Sequence, residues 1–146
     1  MSDLIIKLAD YQEDFPKSEE IRRIVFQEGQ GVDSDLDFDG DDEISEQLIA
    51  YLNDEVVGTA RIRYLNAQTA KIERLAVLPI ARGQGFGKKI MEKALLVIAS
   101  KNIPEVVIHA QEYVKGLHQQ LGFQEEGEVF EEAGIRHVKM KKYLNC

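Results

Sequence analysis

The sequence predicts an α/β domain built on one mixed, mostly antiparallel sheet with helices on its faces. Two observations lead to this prediction. The chain has 146 residues, which is the size of one domain. Its segments also change between the alternating pattern of strands and the period of about 3.6 residues that is typical of helices. We therefore expect residues 1–146 to form a single domain.

Composition excludes several classes of protein. Hydrophobic residues make up 44% and charged residues 30%, as in ordinary globular proteins. A net charge of -8 argues against a nucleic-acid partner. The only cysteine is Cys146, so no intrachain disulfide can form, and no apolar run is long enough for a membrane span. We expect a cytoplasmic protein with no membrane partner.

The N-terminal third predicts one strand, one helix and one loop. Leu4–Leu8 is an apolar run suited to a strand, and the segment from Asp10 to Lys17, which contains Pro16, is predicted to be a polar connection. Ser18 is the predicted cap of a helix that runs to about Glu28, before the glycines at 29 and 31. Val32 to Glu46 is so acidic that we expect an exposed loop.

The remainder predicts three consecutive antiparallel strands, a long amphipathic helix, a buried strand, a short helix and a hairpin. The corresponding segments are Leu48–Leu52, Val56–Tyr64, Ala70–Val77, a helix whose apolar positions run from Ile90 to Ile98, Val106–His109, Glu112–Leu121 and Val129–Tyr143. Ala133 and Gly134 are the predicted turn of the hairpin.

A glycine-rich turn precedes the long helix, with the sequence Arg82-Gly83-Gln84-Gly85-Phe86-Gly87-Lys88-Lys89. Unpaired backbone N–H groups at a helix N-terminus favour an anion such as phosphate, and the flanking Arg and Lys residues add positive charge. The spacing matches neither the P-loop nor the dinucleotide fingerprint. By itself the turn is equally compatible with tight packing between a strand and a helix.

Two separated motifs resolve this ambiguity. Arg-x-x-Gly-x-Gly follows the strand Ile72-Glu73-Arg74-Leu75-Ala76-Val77, and together they resemble motif A of the GNAT superfamily of acyl-CoA N-acyltransferases. Gln111-x-x-Val114-x-x-Leu117-His118-x-x-Leu121-Gly122-Phe123 resembles the later helix of that family. The segments around Glu28-x-Gln30-Gly31 and Gly134-Ile135-x-His137 further resemble the small bacterial ElaA/YjcF-like subgroup.

The resemblance implies a GNAT-like sheet with two splayed parallel strands at its centre, here Ala70–Val77 and 106–110, and acetyl-CoA between them. It implies that the backbone of Leu75 and Val77 pairs with the pantetheine arm, and that a backbone N–H near Leu75 or Ala76 stabilises the oxyanion. The pyrophosphate would meet Arg82 and the backbone of Gly83, Gln84, Gly85, Phe86, Gly87 and Lys88.

Glu73 is the predicted general base. If strand alternation holds, Glu73, Leu75 and Val77 share one face, from which a carboxylate could accept the ammonium proton. The alternative is an exposed strand carboxylate paired with Arg74 or Lys71.

His118 stands where the family usually has Tyr and is the predicted general acid for the leaving thiolate. The alternative is a histidine on the helix surface. Helical geometry places Tyr113 off the face of His118, so we expect it to be a poor substitute. His109 is interpreted as a core or pantetheine-side residue and His137 as a substrate contact.

The predicted function is transfer of the acetyl group of acetyl-CoA to a primary amine by direct attack in a ternary complex. One alternative is a non-catalytic acyl-CoA-binding or interaction module, because His118 departs from the family pattern. The hairpin tail and the strand edges could also support a homodimer. No covalent intermediate is expected, because Cys146 has no evident base beside it.

A second alternative is calcium binding. Asp35-x-Asp37-x-Asp39-Gly40-x5-Glu46 matches the EF-hand loop pattern. An EF-hand needs helices on both sides, whereas Leu48–Leu52 is predicted to be a strand, so we expect no metal. The same loop supports another hypothesis, in which Asp37, Asp39 and Asp42 favour a cationic amine substrate.

Overall fold

The computed structural model describes residues 4–34, 40–42 and 44–144. In this part of the chain the strands are β1 (Leu4–Leu8), β2 (Glu46–Leu52), β3 (Glu55–Tyr64), β4 (Thr69–Val77), β5 (Glu105–Gln111), β6 (Gln124–Glu125), β7 (Phe130–Glu132) and β8 (Ile135–Tyr143). The α-helices are α1 (Tyr11–Arg22), α2 (Phe86–Ser100) and α3 (Lys115–Gln120). A π-helical segment, Arg23–Glu28, continues α1, and single 3-10 turns occupy Pro79–Ala81 and Glu112–Val114.

The strands form one mixed sheet in the order β1-β2-β3-β4-β5-β8-β6, with β7 paired to β8. Within the described residues only β4 and β5 are parallel, and the other pairs are antiparallel. The parallel ladder is short, joining Thr69–Lys71 to residues 105–107. Beyond it the two strands separate, so the predicted sheet and its central splayed pair are both confirmed.

Helices cover both faces of the sheet. On one face, the apolar stripe of α2, with Ile90, Ala94 and Ile98, packs into the main core. On the other face, Ile21 of α1 and Val25 of the π-helical segment pack with Ala76 of β4. Because each helix buries one apolar stripe against the sheet, the layers follow from the periodicity in the sequence.

The first helix starts earlier than the sequence predicts. The Asp10 side chain accepts hydrogen bonds from the backbone of Gln12 and Glu13 and so caps α1. Pro16 therefore lies inside a helix and not in a polar connection, although proline is disfavoured there. Ser18 is not the cap: it is buried, and Thr59 of β3 donates a hydrogen bond to its hydroxyl at 3.0 Å.

Three C-terminal elements differ in detail from the prediction. The predicted helix Glu112–Leu121 is a 3-10 turn followed by the short α3, which is stopped by Gly122 with a φ of 93°. The short strand β6 was not predicted. The hairpin is confirmed: β7 and β8 are joined through Ala133 and Gly134, whose φ angles are 53° and 75°.

Glycine is required at position 58 because α2 approaches the sheet closely there. A Cβ at Gly58 would lie 2.8 Å from Cδ1 of Ile90 and 3.0 Å from the carbonyl oxygen of Ala76. Among the described residues, no helix combines the length and the apolar character that crossing a membrane requires.

Candidate active site

A cleft of about 760 Å³ opens where β4 and β5 separate. One side is lined by the second half of β4, from Ile72 to Val77, and the other by the end of β5, from Ile108 to Gln111. The glycine turn, α3 and the β7–β8 hairpin complete the walls. All but one of the sequence-predicted site residues line this cleft, and the exception is Gln84. The residues that line it are Glu73, His118, Leu75, Ala76, Val77, Arg82, Gly83, Gly85, Phe86, Gly87 and Lys88.

A bulge at Arg74 changes which face of β4 each side chain occupies. Arg74 has a φ of 55°, and the β3–β4 register shifts between the Thr59–Ala76 and Arg61–Glu73 pairs. Leu75 and Val77 therefore pack with the α2-side core, while Ala76 packs with α1. Glu73 lies on the α1 side with Arg61. The prediction that Glu73, Leu75 and Val77 share one face is wrong, because it assumed uninterrupted alternation.

The glycine turn presents its backbone to the cleft. Gly83 and Gly85 have φ angles of 81° and 79°, a conformation that strongly favours glycine. Gly85 precedes α2 without any side-chain cap, so the first N–H groups of the helix remain available. The Phe86 side chain is buried in the core and can offer a ligand only its backbone. The exposed Arg82 side chain is held by a 3.1 Å hydrogen bond from its Nε to the Val77 carbonyl.

Glu73 is buried, with only 8% of its surface exposed, and its carboxylate binds three cations. Oε2 accepts from both Nε and Nη2 of Arg61, the former at 2.9 Å, while Oε1 lies 2.9 Å from both Arg63 Nη2 and Lys71 Nζ. Burial alone would raise the pKa of Glu73, but Arg61 and Lys71 outweigh it and lower the pKa to about 2. The contact between Glu73 and Lys71 agrees with the alternative predicted from the sequence, in which the carboxylate is paired with a neighbour. That alternative also predicted an exposed carboxylate, whereas the structure shows it buried.

A second buried carboxylate continues this charge network. Asp42 Oδ1 accepts hydrogen bonds from Arg22 at 2.7 Å, Arg61 at 3.2 Å and Gln47 at 3.2 Å. Asp42 is only 6% exposed, so the prediction that Val32 to Glu46 is exposed throughout is wrong at this position. The sequence misses this site because the two arginines that neutralise Asp42 come from distant elements.

The two acidic-loop hypotheses depend partly on residues outside the described ones, namely Asp35, Asp37 and Asp39. Of the described carboxylates in the loop, Asp41 binds Arg63, Asp42 binds arginines and Glu46 binds Lys101. No group of three metal-binding side chains is found in the described part of the chain. The Asp42 carboxylate is engaged by arginines inside the fold and does not face an incoming amine.

His118 is buried, not on the helix surface, which contradicts the alternative interpretation. Its ring packs edge-on against Phe123, with 6.0 Å between centroids. Burial lowers the pKa of His118 to about 4, so the ring is neutral at neutral pH. Its Nδ1 atom is buried and has no hydrogen-bond partner within the described structure. A buried nitrogen at the wall of a cleft is suited to meeting a polar group of a ligand.

The sequence gives little indication that several other polar residues line the cleft. Gln30, two residues after the π-helical segment, and Gln111, at the end of β5, form reciprocal side-chain hydrogen bonds of 3.1 and 2.9 Å across the cleft. Glu132 in the hairpin contacts both His109 and His137. Glu132 is one of several glutamates in this part of the sequence, and only the pairing of β7 with β8 reveals that it faces the cleft.

Comparison with known proteins identifies the family. Residues 32–144 match the model of the acetyltransferase (GNAT) domain. YyaT of Bacillus subtilis is 34% identical over 143 residues, covering 96% of both chains. ElaA of Escherichia coli is 32% identical over 112 residues, covering 73% of this chain and 72% of ElaA.

Solved structures agree with the sequence relatives. The crystal structure of E. coli ElaA superposes with a TM-score of 0.83 at 27% identity, over 94% of this chain and 99% of that one. A GNAT family acetyltransferase from Elizabethkingia anophelis, solved with acetyl-CoA bound, has the same fold at 18% identity, with a TM-score of 0.75 over 97% and 98% of the two chains. The resemblance seen in the sequence motifs is confirmed: the chain belongs to the GNAT family of acetyltransferases and is an acyl-CoA-dependent N-acetyltransferase.

Proposed function

We propose that this protein transfers the acetyl group of acetyl-CoA to a primary amine by direct attack in a ternary complex. The observation that carries the proposal is the cleft, where three features meet: a strand edge that no described strand pairs with, a helix N-terminus with no side-chain cap, and a buried neutral imidazole. A direct reaction needs both substrates to lie in one space, and a volume of about 760 Å³ is within the range of ligand sites.

The strand edge would hold the pantetheine arm. Past Lys71, β4 has no ladder partner on its β5 side among the described residues. The backbone of Leu75 and Val77 can therefore pair with an extended ligand, as an added strand would. The bound acetyl-CoA in the E. anophelis structure supports this use of the fold.

The glycine turn would hold the pyrophosphate. The N–H groups of Gly83 to Lys88 lie at the start of α2, where the helix dipole also favours an anion. The protein carries a net charge of -8, so local cations are needed to attract a polyanion. Arg82 and Lys88 supply them at the cleft wall.

Two protons must be accounted for in the reaction. The ammonium form of the amine first loses one proton to a base, and the freed lone pair attacks the thioester carbonyl. When the tetrahedral intermediate collapses, the C–S bond breaks, and the nitrogen gives up a second proton as the thiolate gains one. We assign His118 to the sulfur, as a neutral N–H donor whose hydrogen bond stabilises the thiolate, while the proton that the thiolate gains is the one released by the nitrogen.

Glu73 has two alternative roles in this scheme. As the base predicted from sequence, it would accept the ammonium proton, but a pKa of about 2 makes its carboxylate a weak acceptor. As a positioning residue, it would hold Arg61, Arg63 and Lys71 beside the β4 bulge. Its three short contacts with cations favour the second role.

The test is release of free CoA thiol from acetyl-CoA in the presence of a panel of primary amines: spermidine, lysine, glutamate, tyramine and a lysine-containing peptide. We expect turnover with at least one of them, and saturable acetyl-CoA binding by isothermal titration that is lost in Gly85→Glu. Binding without turnover of any amine would instead support the non-catalytic acyl-CoA-binding module.

A further inference from the structure

Glu132 lies between two imidazoles at the wall of the cleft. Its Oε1 is 3.2 Å from Nδ1 of His109, on β5, and its Oε2 is 3.8 Å from Nε2 of His137, on β8. All three residues line the cleft. They come from three different strands, so the sheet itself brings the cluster together.

The hydrogen bonds determine which nitrogens carry protons. An ionised carboxylate only accepts, so Nδ1 of His109 must donate to Glu132. In the neutral ring Nε2 of His109 then carries the lone pair, and no described residue donates a hydrogen bond to it. His137 likewise uses Nδ1 to donate to the Ile135 carbonyl at 2.7 Å, and its Nε2 lies 3.8 Å from Oε2 of Glu132, too far for a hydrogen bond.

The Nε2 atom of His109 can therefore accept one more proton. A proton on Nε2 of His109 would be stabilised through the ring by the Glu132 carboxylate, in the manner of a carboxylate–imidazole dyad. Phe130 fixes both rings: its centroid lies 5.1 Å from that of His109, edge-on, and 5.9 Å from that of His137, stacked. Rigid support of this kind keeps a proton acceptor in one orientation.

The charges around the cluster differ from those around Glu73. From β4, Lys71 acts on Glu132 electrostatically, although its amine is already bound by Glu73. From β8, Lys139 pairs with His109 across the strands and contacts Glu126 at 3.4 Å. Neither lysine forms an ion pair with Glu132, whereas the Glu73 carboxylate contacts three cations directly.

We infer that His109, oriented by Glu132, is the proton acceptor for the amine substrate. This inference rests on the proposed function. The ammonium N–H bond breaks, its proton moves to Nε2 of His109, and the electron pair left on nitrogen attacks the thioester carbonyl. The imidazolium then loses its proton to solvent. His109 is the catalytic residue in this step, and Glu132 is a positioning residue that stabilises its charged form.

The first experiment compares two amines that differ in basicity. One is the most active amine of the panel, and the other is its β,β-difluorinated analogue, assayed at about pH 8, where the two fluorines leave most of the amine neutral so that it needs no base to accept its first proton. We expect His109→Gln to lower kcat/KM by about 100-fold for the first amine and by no more than about threefold for the second. Equal losses with both amines would overturn the inference, because damage to the fold does not depend on amine basicity.

The second experiment records the tautomer of the neutral His109 ring by 15N NMR and needs no acceptor. Because Nδ1 donates to Glu132, we expect the proton to reside on Nδ1 in the wild type and to redistribute toward Nε2 in Glu132→Ala, which lacks the acceptor. Glu131→Ala, one residue away on β7, is the matched control and should keep the wild-type tautomer. An unchanged tautomer in Glu132→Ala would also overturn the inference.

The two experiments distinguish failure of the inference from failure of the proposed function. If no amine of the panel releases CoA, the proposed function fails, and the NMR experiment still shows whether Glu132 orients the His109 ring. If an amine is acetylated and Glu73→Gln, but not His109→Gln, shows the basicity-dependent loss, the function stands and the base is Glu73.

Discussion

Arg61 and Glu73 form a buried ion pair across β3 and β4. Two guanidinium nitrogens of Arg61 bind the same carboxylate oxygen, and Arg61 is fully buried. The same guanidinium reaches Asp42, so one arginine links the end of the acidic loop to the strand that lines the cleft. Such a pair is costly to bury and costly to break, because either partner left alone is an uncompensated charge.

Glu73→Gln should therefore destabilise the protein. Removal of one partner of a buried ion pair typically costs about 3–5 kcal/mol, and here three cations lose their shared carboxylate. Urea denaturation at neutral pH measures the free energy of unfolding. Glu92→Gln, on an exposed site of α2, is the control and should change this free energy by less than about 0.5 kcal/mol. A Glu73→Gln protein as stable as the wild type would contradict the structure.

The same pair predicts a pH dependence. The pKa of Glu73 is about 2 in the folded protein, below the ordinary value of 4.5. A carboxyl group with a lowered folded-state pKa stabilises the fold above its unfolded pKa, and this stabilisation is lost as pH falls toward the folded value. The stability difference between wild type and Glu73→Gln should therefore shrink as pH falls from 4.5 toward 2. A difference that stays constant over this range would show that Glu73 is not held as a carboxylate.

Much of this architecture could be predicted from the sequence because it depends on local patterns. The strand positions, the amphipathic stripe of α2 and the Ala133–Gly134 turn follow from periodicity and turn chemistry. The helix start was misplaced because Pro16 is a poor helix former, whereas the Asp10 cap and burial of Phe15 outweigh that preference. Tertiary contacts therefore determine where α1 begins.

The site also combines features that local sequence patterns predict with features that depend on tertiary structure. The glycine turn and the cleft-lining part of β4 were found from motif spacing, but the faces of Glu73 and Leu75 were not. One bulged residue, Arg74, inverts the alternation, and no feature of the sequence marks it. The contact of Glu132 with His109 depends on the register between distant strands, which local patterns do not specify.

Gly85→Glu should weaken CoA binding by at least about tenfold. A carboxylate beside the N-terminus of α2 neutralises the positive end of the helix dipole and repels phosphate, and the φ of 79° adds backbone strain. Isothermal titration with CoA measures the affinity. Gly127→Glu is a matched control, because Gly127 has a φ of 87°, a Cβ added there would meet nothing within 4 Å, and the residue is not part of the cleft lining. Equal losses of affinity in both variants would exclude the glycine turn as the pyrophosphate site.

Gly58→Ala should destabilise the fold by about 1–3 kcal/mol. The added methyl group would meet the Ala76 carbonyl at 3.0 Å, and a backbone atom cannot move aside as a side chain can. Gly116→Ala in α3 is the contrasting variant: its Cβ meets nothing within 4 Å, and alanine favours helix. Thermal unfolding should show a lower Tm for the first variant and an equal or higher Tm for the second. The opposite order would contradict the packing of α2 on β3.

Burial of His118 predicts a stability change in a different pH window. The pKa of His118 is about 4 in the folded protein against an ordinary value of 6.5, so between these values the unfolded chain binds the proton more tightly. Protonation then favours unfolding, and stability is lost as pH falls from 6.5 toward 4. His118→Gln does not titrate and should lose about 2 kcal/mol less than the wild type over this range. Urea denaturation at several pH values measures the difference, with Gln119→Ala on the exposed side of α3 as the control that keeps the wild-type slope. If His118→Gln shows the wild-type slope as well, the imidazole is not buried in a neutral state, and its assignment as a neutral N–H donor to the thiolate fails with it.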